Sequence, residues 1–438
     1  MISGKGFLSG DQLSPRQHDL LDLPFRTAVK ILFIVPYVPN LIRSRSYNLI
    51  RSLVRLGHQV TVATVSTGEQ DSADVLRLKE TCHQVLVVEQ PAWQSLINTG
   101  LAIPSRKPLQ SVYSWKPELL NQINQNLLDG TGEPAFDVIH LEHLRGVQYG
   151  FGIKRYLSNR SKFIPVVWDS VDCISYLFRQ SAKQSSRWKS RVITRMELGR
   201  TEAYERELVH QFSHVLVTSN KDKQAFLDLS SNGDIGDKIS VLPSGVDLEY
   251  FMPGLHEHRE DKTLVVTGKM SYHANVSMAK YLVYEIMPRI WKKEPDVNLW
   301  IVGKDPPKDV LQLGEDQRVH VTGMVPDLRP YLESATISVA PLTYGAGIQH
   351  KVLEAMACST PVVSSPRAVS ALTIQPGRDA VVAEGKDEFA HAVIDLLNDP
   401  QRRQKIGDSG RAYVERCHSW DAIACQLEDV YASVSYQI

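Results

Sequence analysis

Short apolar runs of strand length alternate along this chain with helix-like stretches, and the series starts over past the midpoint; nothing else in the sequence limits the fold as tightly. The first run, VKILFIV at 29–35, passes through Pro36 and Pro39 into a helix-like stretch at 44–56 that Gly57 closes. HQVTVATV at 58–65 reads as a second buried strand, so strand, helix and strand make one right-handed parallel unit. Further strands are read at 84–89, 137–142, 165–170, 214–219 and 239–244, with the longest helix at 185–212. A second series follows at 263–268, 297–303, 320–323, 337–342, 360–365 and 380–384, and a helix at 420–434 closes it. HEHREDK at 256–262 is charged, lacks apolar periodicity and reads as an exposed linker. A chain of 438 residues exceeds what one hydrophobic core supports, so the fold class expected is α/β, with two Rossmann-like domains.

Bulk charge narrows the function. The 49 basic side chains are balanced by 49 acidic ones, so no basic excess tracks a phosphate backbone and no nucleic-acid partner is expected. Cys82, Cys173, Cys358, Cys417 and Cys425 are scattered and form no CxxC pair, which points away from a disulfide framework or zinc site and fits a reducing cytoplasm. No run of 18 apolar residues occurs and residues 1–28 are a polar extension, so a cytoplasmic protein, at most peripheral at a membrane, is expected. One stretch is locally basic: 179–195 carries Arg179, Lys183, Arg187, Lys189, Arg191 and Arg195 and no acidic residue. It reads either as a solvated helix face or as a surface for anionic headgroups or a phosphorylated acceptor.

An open parallel sheet binds ligands beyond the carboxyl ends of its strands, so the loops there hold the chemistry. The first such loop, PYVPNLIRSRS, contains no glycine, which disfavours a dinucleotide site in the first domain. In the second, PLTYGAGIQHKVLEAMACSTPVV at 341–363 places Gly345 and Gly347 between a strand and a helix, where backbone N–H groups and the helix dipole can receive a diphosphate. Lys351 adds a positive charge, and Glu354 is a carboxylate able to accept hydrogen bonds from two neighbouring ribose hydroxyls. On the other rim, DVIHLEHLRG gathers His140, Glu142 and His143 at a strand end, and Asp169 ends the next strand, facing the cleft. Arg43 and Arg45 in the first strand-helix loop are read as acceptor or phosphate contacts, with plain solvation as the alternative.

KVLEAMACSTPVV, LPSGVDLEYF at 242–251, TGKMSYHANVSMAKYL at 267–282, LWIVGKDPP at 299–307 and VTGMVPDLRPYLESATISVAPL at 321–342 together resemble the retaining glycosyltransferases of family 4. Their fold is called GT-B: two Rossmann-like domains facing each other across a cleft. GIQ-x-KVLEAMA is similar in particular to sugar transferases of exopolysaccharide clusters. The resemblance implies an acceptor domain at 29–255, a nucleotide-sugar donor domain at 256–418, and a terminal segment 419–438 returning to the first domain. It implies a hexosyltransferase that moves sugar from a UDP- or GDP-sugar to a glycan or lipid-linked acceptor with retention, with no cofactor and no metal. Glu354 would hold the ribose, Gly347 and Ile348 the diphosphate or sugar, Lys269 the phosphates, and the backbone at Met324 and Val325 the base. A loop histidine that touches donor sugar and acceptor in relatives aligns near Glu142 or His143. The family's second glutamate, eight positions before the first, is Ala346 here. That departure keeps two other readings open, a nucleotide-sugar binder without catalysis and an epimerase of the same shape.

Overall fold

The computed structural model describes residues 28–40, 43–184, 188–230, 233–254, 259–345 and 347–435, with the side chains of 180–195 and 233–234 outside the description. Seven strands, β1 (Lys30–Val35), β2 (Gln59–Ser66), β3 (Gln84–Glu89), β4 (Val138–Glu142), β5 (Val166–Val171), β6 (His214–Val217) and β7 (Ile239–Val241), form one sheet in the order β3-β2-β1-β4-β5-β6-β7. Six more, β8 (Thr263–Thr267), β9 (Asn298–Val302), β10 (Val319–Gly323), β11 (Ile337–Ala340), β12 (Val362–Ser364) and β13 (Val381–Val382), form a second in the order β10-β9-β8-β11-β12-β13. Every pairing within the two sheets is parallel. The strand order reverses between β1 and β4 and again between β8 and β11, and at such switch points a crevice opens above the strand ends.

The central strands are largely apolar because both faces of each sheet are covered there, while the edge strands β3 and β10 are mostly half-buried. In the first sheet, Leu32, Ile34, Ile139, Leu141 and Trp168 pack on one side. Ile31, Phe33 and Val35 pack on the other, against Leu49 and Leu53 of the helix Ser44–Arg55 and Ile423, Leu427 and Tyr431 of the helix Trp420–Ser435. The chain thus crosses between sheets twice, after β7 and again at Ser419, and the two crossings are bonded side by side. The Val246 N–H donates to the His418 carbonyl at 2.8 Å, and His418 Nδ1 lies 2.9 Å from the Ser244 carbonyl. A β-carbon on Gly245 would stand 2.7 Å from the Trp420 indole and 2.9 Å from the His418 carbonyl, so this crossing is closed to any larger residue without movement. A further bond joins the domains at Lys221, whose ammonium donates to Ser370 Oγ at 2.8 Å.

In the linker Glu260 and Asp261 are exposed, as expected, but Arg259 is turned inward. Residues 256–258 lie outside the described residues, but the Arg259 guanidinium donates to the carbonyls of Leu332, Glu333, Ala335 and Cys358 and to Thr360 Oγ1. A side chain with several fixed donors satisfies carbonyls at loop ends, which a sequence pattern of charge alone does not distinguish from solvation.

Candidate functional site

In the second sheet the loops after β8, β9 and β10 are joined to each other. The Gly268 N–H donates to the Val302 carbonyl, the Met270 N–H to the Lys304 carbonyl and the Gly303 N–H to the Gly323 carbonyl, at 3.1, 2.9 and 3.2 Å. A β-carbon on Gly303 would fall 1.8 Å from the Gly268 carbonyl oxygen, so only glycine lets these turns touch. After β11, Gly345 (φ 138°) and Gly347 (φ 76°) turn the chain into the helix His350–Ala357, and nothing lies within 4 Å of where a Gly347 β-carbon would be. Tyr344 beside this turn stacks on His273 at 5.3 Å between centroids and bonds its Nδ1 at 2.9 Å.

Two charged side chains of that helix remain available to a ligand. Lys351 donates to Asn275 Oδ1 at 2.7 Å, and Asn275 Nδ2 donates to the Lys269 carbonyl at 2.9 Å, so one amide fixes both the lysine and the β8 loop. Burial lowers the Lys351 ammonium to about 8, against the opposing pull of Glu354. Glu354 is raised by burial to about 7, with Lys351 offsetting part of the shift. Its carboxylate accepts no hydrogen bond from a described residue, a costly state for a partly desolvated anion unless a ligand supplies donors. Lys269 is exposed on the same rim, as is the Met324 side chain after β10, with Val325 half-buried next to it. A cavity of about 560 Å³ continues from Thr343 along the ends of β12 and β13, between Arg367 and Glu384 of this domain and Lys221 of the other.

Across from this rim, the switch point of the first sheet gathers Tyr37, Arg43, Glu142 and His143. The Tyr37 hydroxyl donates to Glu142 Oε1 at 2.5 Å, while Glu142 Oε2 is buried without a partner among the described residues. Burial, then the charge of Asp169, raises the Glu142 carboxyl to about 7. His143 follows at φ 62°, left-handed backbone at the start of the helix His143–Ser158, and on the neighbouring strand Val171 stands at φ 68°. For a β-branched residue that is an outlier, and adjacent strained residues at two strand ends mark a place where side-chain position outweighs local preference. Burial and the nearby Arg145 guanidinium bring His143 down to about 4, so its imidazole is neutral near pH 7. Among the described residues no group of three or more His, Cys, Asp or Glu side chains converges in a manner that could hold a metal ion.

Other sequence candidates lie deeper than expected. Asp169 does not face the cleft: it is fully buried and takes Arg45 Nη2 and Nε at 2.8 and 3.1 Å. Arg45 also donates to the carbonyls of Leu242 and Pro243, so its charge is spent on closing the β7 loop over the first helix and it is not a free acceptor contact. His140 is sealed between Phe33, stacked at 4.0 Å, and the Tyr431 hydroxyl, 2.9 Å from Nδ1. Arg43 is exposed, its guanidinium 4.8 Å from the Tyr37 ring centroid.

Comparison with known proteins decides the family. A profile described as "Glycosyltransferase Family 4" matches residues 44–250 and one described as "Glycosyl transferases group 1" matches 261–399. The chain belongs to glycosyltransferase family 4. Among its relatives is a Corynebacterium glutamicum GDP-mannose-dependent monoacylated alpha-(1-6)-phosphatidylinositol monomannoside mannosyltransferase, 30% identical over 44% of this chain and 55% of that one. Another is a Mycolicibacterium hassiacum MMP alpha-(1->4)-mannosyltransferase, 26% identical over 58% of this chain and 62% of its own. The matches therefore span a little over half of these relatives' length. Solved structures of the same fold include a Rickettsia africae glycosyltransferase (TM-score 0.62, 15% identity, 93% of this chain and 99% of that one). Another is Anabaena HepE in complex with UDP and glucose (0.61, 15%, 92% and 100%). The architecture is GT-B.

Within this family 4 chain, Glu354, Lys351, Gly347, Ile348, Lys269, Met324 and Val325 lie on the rim of the second domain, and Glu142, His143 and Arg43 on the rim of the first. Ala346 lies outside the described residues. Sequence reasoning missed two members. Asn275 lies in the segment TGKMSYHANVSMAKYL but carries no charge to draw notice, and Tyr37 reaches Glu142 across 105 residues.

Proposed function

We propose that this chain transfers a hexose from a UDP- or GDP-sugar to a hydroxyl of a glycan or lipid-linked acceptor, with retention, in polysaccharide or glycolipid synthesis. The observation that carries the reading is Glu354, a carboxylate drawn out of water beside the glycine turn and Lys351, with no donor among the described residues. Two adjacent ribose hydroxyls supply the donors it lacks, and the turn leaves room for a diphosphate over Gly347. In this reading residues 256–418 hold the donor nucleotide, with the base against the backbone of Met324 and Val325, and 29–255 receive the acceptor.

Breaking the anomeric bond leaves negative charge on the diphosphate, which Lys351, Lys269 and the start of the helix His350–Ala357 are arranged to stabilise. No protein nucleophile and no metal take part; the leaving phosphate draws the proton from the acceptor hydroxyl on the same sugar face. His143, neutral, and Glu142 orient sugar and acceptor hydroxyls from the opposite rim. Relatives named for GDP-mannose and phosphatidylinositol mannosides favour a lipid-linked acceptor, and HepE, solved with UDP, keeps both nucleotides in view. No helix among the described residues is long and apolar enough to cross a membrane. We place the enzyme in the cytoplasm, whose reducing medium suits its free cysteines, at the inner face of the membrane where a lipid-linked acceptor is met. The basic stretch 179–195 is one candidate contact: Arg179 pairs with Glu202 at 2.6 Å, and the side chains of 180–195 lie outside the described residues.

Calorimetric titration with UDP and GDP tests this. One nucleotide is expected to bind, and Glu354→Ala to weaken it by at least about tenfold, the loss of charge-assisted hydrogen bonds. Binding of neither, or equal binding by the variant, overturns the donor site. Ala346 favours a second reading, a nucleotide-sugar binder that has lost catalysis, which slow donor hydrolysis by the purified chain would contradict.

A further inference from the structure

The helix Ala92–Ala102 is built inside out. Its polar residues face the protein: Gln94 Oε1 accepts from Lys116 at 2.8 Å, Ser95 Oγ accepts from Gln90 Nε2 at 2.9 Å, and Asn98 Nδ2 donates to the Trp115 carbonyl at 2.9 Å. Its large apolar residues face outward. Trp93, Leu96, Ile97 and Leu101 are 61, 67, 50 and 76% exposed, and Ile103 just beyond the helix is 54% exposed. A folding chain driven only by its own burial would turn such a helix over, and a contiguous exposed patch of this kind marks a contact surface.

Charge indicates what covers it. From Gln90 to Pro117 the sequence contains no aspartate or glutamate, while Arg106 and Lys107 follow the apolar patch and are exposed. The Lys107 ammonium donates to a neutral partner, Gln148 Oε1, at 3.1 Å, and no carboxylate pairs with it among the described residues. The Arg200 guanidinium donates to the Ile103 carbonyl at 2.5 Å, and one helical turn before it Met196 is 47% exposed, extending the apolar surface. Glu197 pairs with Arg200 at 3.2 Å and Glu118 lies 3.7 Å from Lys116, so the exposed cations beside the apolar face are Arg106 and Lys107. Tryptophan and aliphatic side chains next to such cations match the boundary between headgroups and acyl chains of an anionic bilayer.

We infer that the helix Ala92–Ala102, with Arg106 and Lys107, seats this protein on an anionic lipid surface. The helix starts just after β3, the edge strand of the first sheet, at the end of the strand that borders the cleft. A membrane held there lies at the side of the proposed acceptor rim, so an acceptor carried by a lipid reaches Glu142 and His143 without leaving the bilayer. The lipid contact itself does not depend on the sugar-transfer reading; only its use does.

The test is co-sedimentation of the full chain with vesicles of phosphatidylcholine, with and without phosphatidylglycerol, which requires neither donor nor turnover. The wild type is expected to partition onto the anionic vesicles, and Leu96→Asp with Leu101→Asp to reduce partitioning by about tenfold or more. Leu311→Asp, at another exposed leucine on the other domain, is expected to leave it unchanged. Arg106→Ala with Lys107→Ala is expected to remove the preference for anionic over neutral vesicles. No partitioning by the wild type, or undiminished partitioning by the double aspartate variant, overturns the inference. A self-association in sedimentation velocity that the aspartates abolish, without vesicle binding, also overturns it and assigns the patch to a second copy.

Discussion

At the scale of single residues, the two rims hold carboxyls whose charge is suppressed until something arrives. Glu142, at a usual 4.5 in the unfolded chain and about 7 when folded, binds its proton more tightly in the native state. Stability from this group is therefore full below about 4.5 and is lost as pH rises through about 7. Glu142→Gln is expected to raise stability above pH 7 by roughly 1–3 kcal/mol relative to its effect at pH 4 while lowering turnover, measured by denaturant melts at both pH values and by initial rates. On the proposed function, the rim of the second domain has a different profile. Ribose binding favours ionised Glu354 and so strengthens as pH rises through about 7, whereas diphosphate binding favours protonated Lys351 and weakens as pH rises through about 8. Nucleotide affinity should peak between these values; calorimetry across pH 6–9 checks it, and Glu354→Gln should remove the lower limb.

Between residues and the whole lie the strands and turns, and here the outcome of reading the sequence divides by range. The strands were legible because a parallel strand covered on both faces is largely apolar, which leaves a mark in a few consecutive residues. The glycine turn at 345–347, Lys351 and Glu354 were legible for the same reason, being close together in the chain. Arg45 was not: its partner Asp169 is 124 residues away, and an arginine in a strand-helix loop looks alike whether it meets phosphate or a buried carboxylate. The outward face of the helix Ala92–Ala102 escaped too, since apolar spacing on a helix does not tell which side the protein occupies. Gly303 gives the element-scale prediction. Gly303→Ala must push apart loops now in contact and hold φ near 154°, so destabilisation on the order of 3 kcal/mol is expected in chemical denaturation, with loss of nucleotide binding.

For the whole molecule, the paired crossings at Gly245 and Ser419 and the Lys221–Ser370 bond set two sheets with their switch points on one cleft. The helix Trp420–Ser435 returns from the second domain to the first and bonds His140 through Tyr431, so a packing element of one rim is anchored past the other domain. On the proposed function, both rims are needed for a sugar to leave its nucleotide. The most direct measurement is release of nucleoside diphosphate from UDP- and GDP-sugars by the purified chain in the presence of a chelator, for the wild type, Glu354→Ala and His143→Ala. Release by the wild type, the sugar passing to water with its anomeric configuration retained in the first-formed product, and both variants slowed by about a hundredfold or more, is the predicted result. Binding of a donor without release from any sugar nucleotide, or equal rates in the variants, would contradict it.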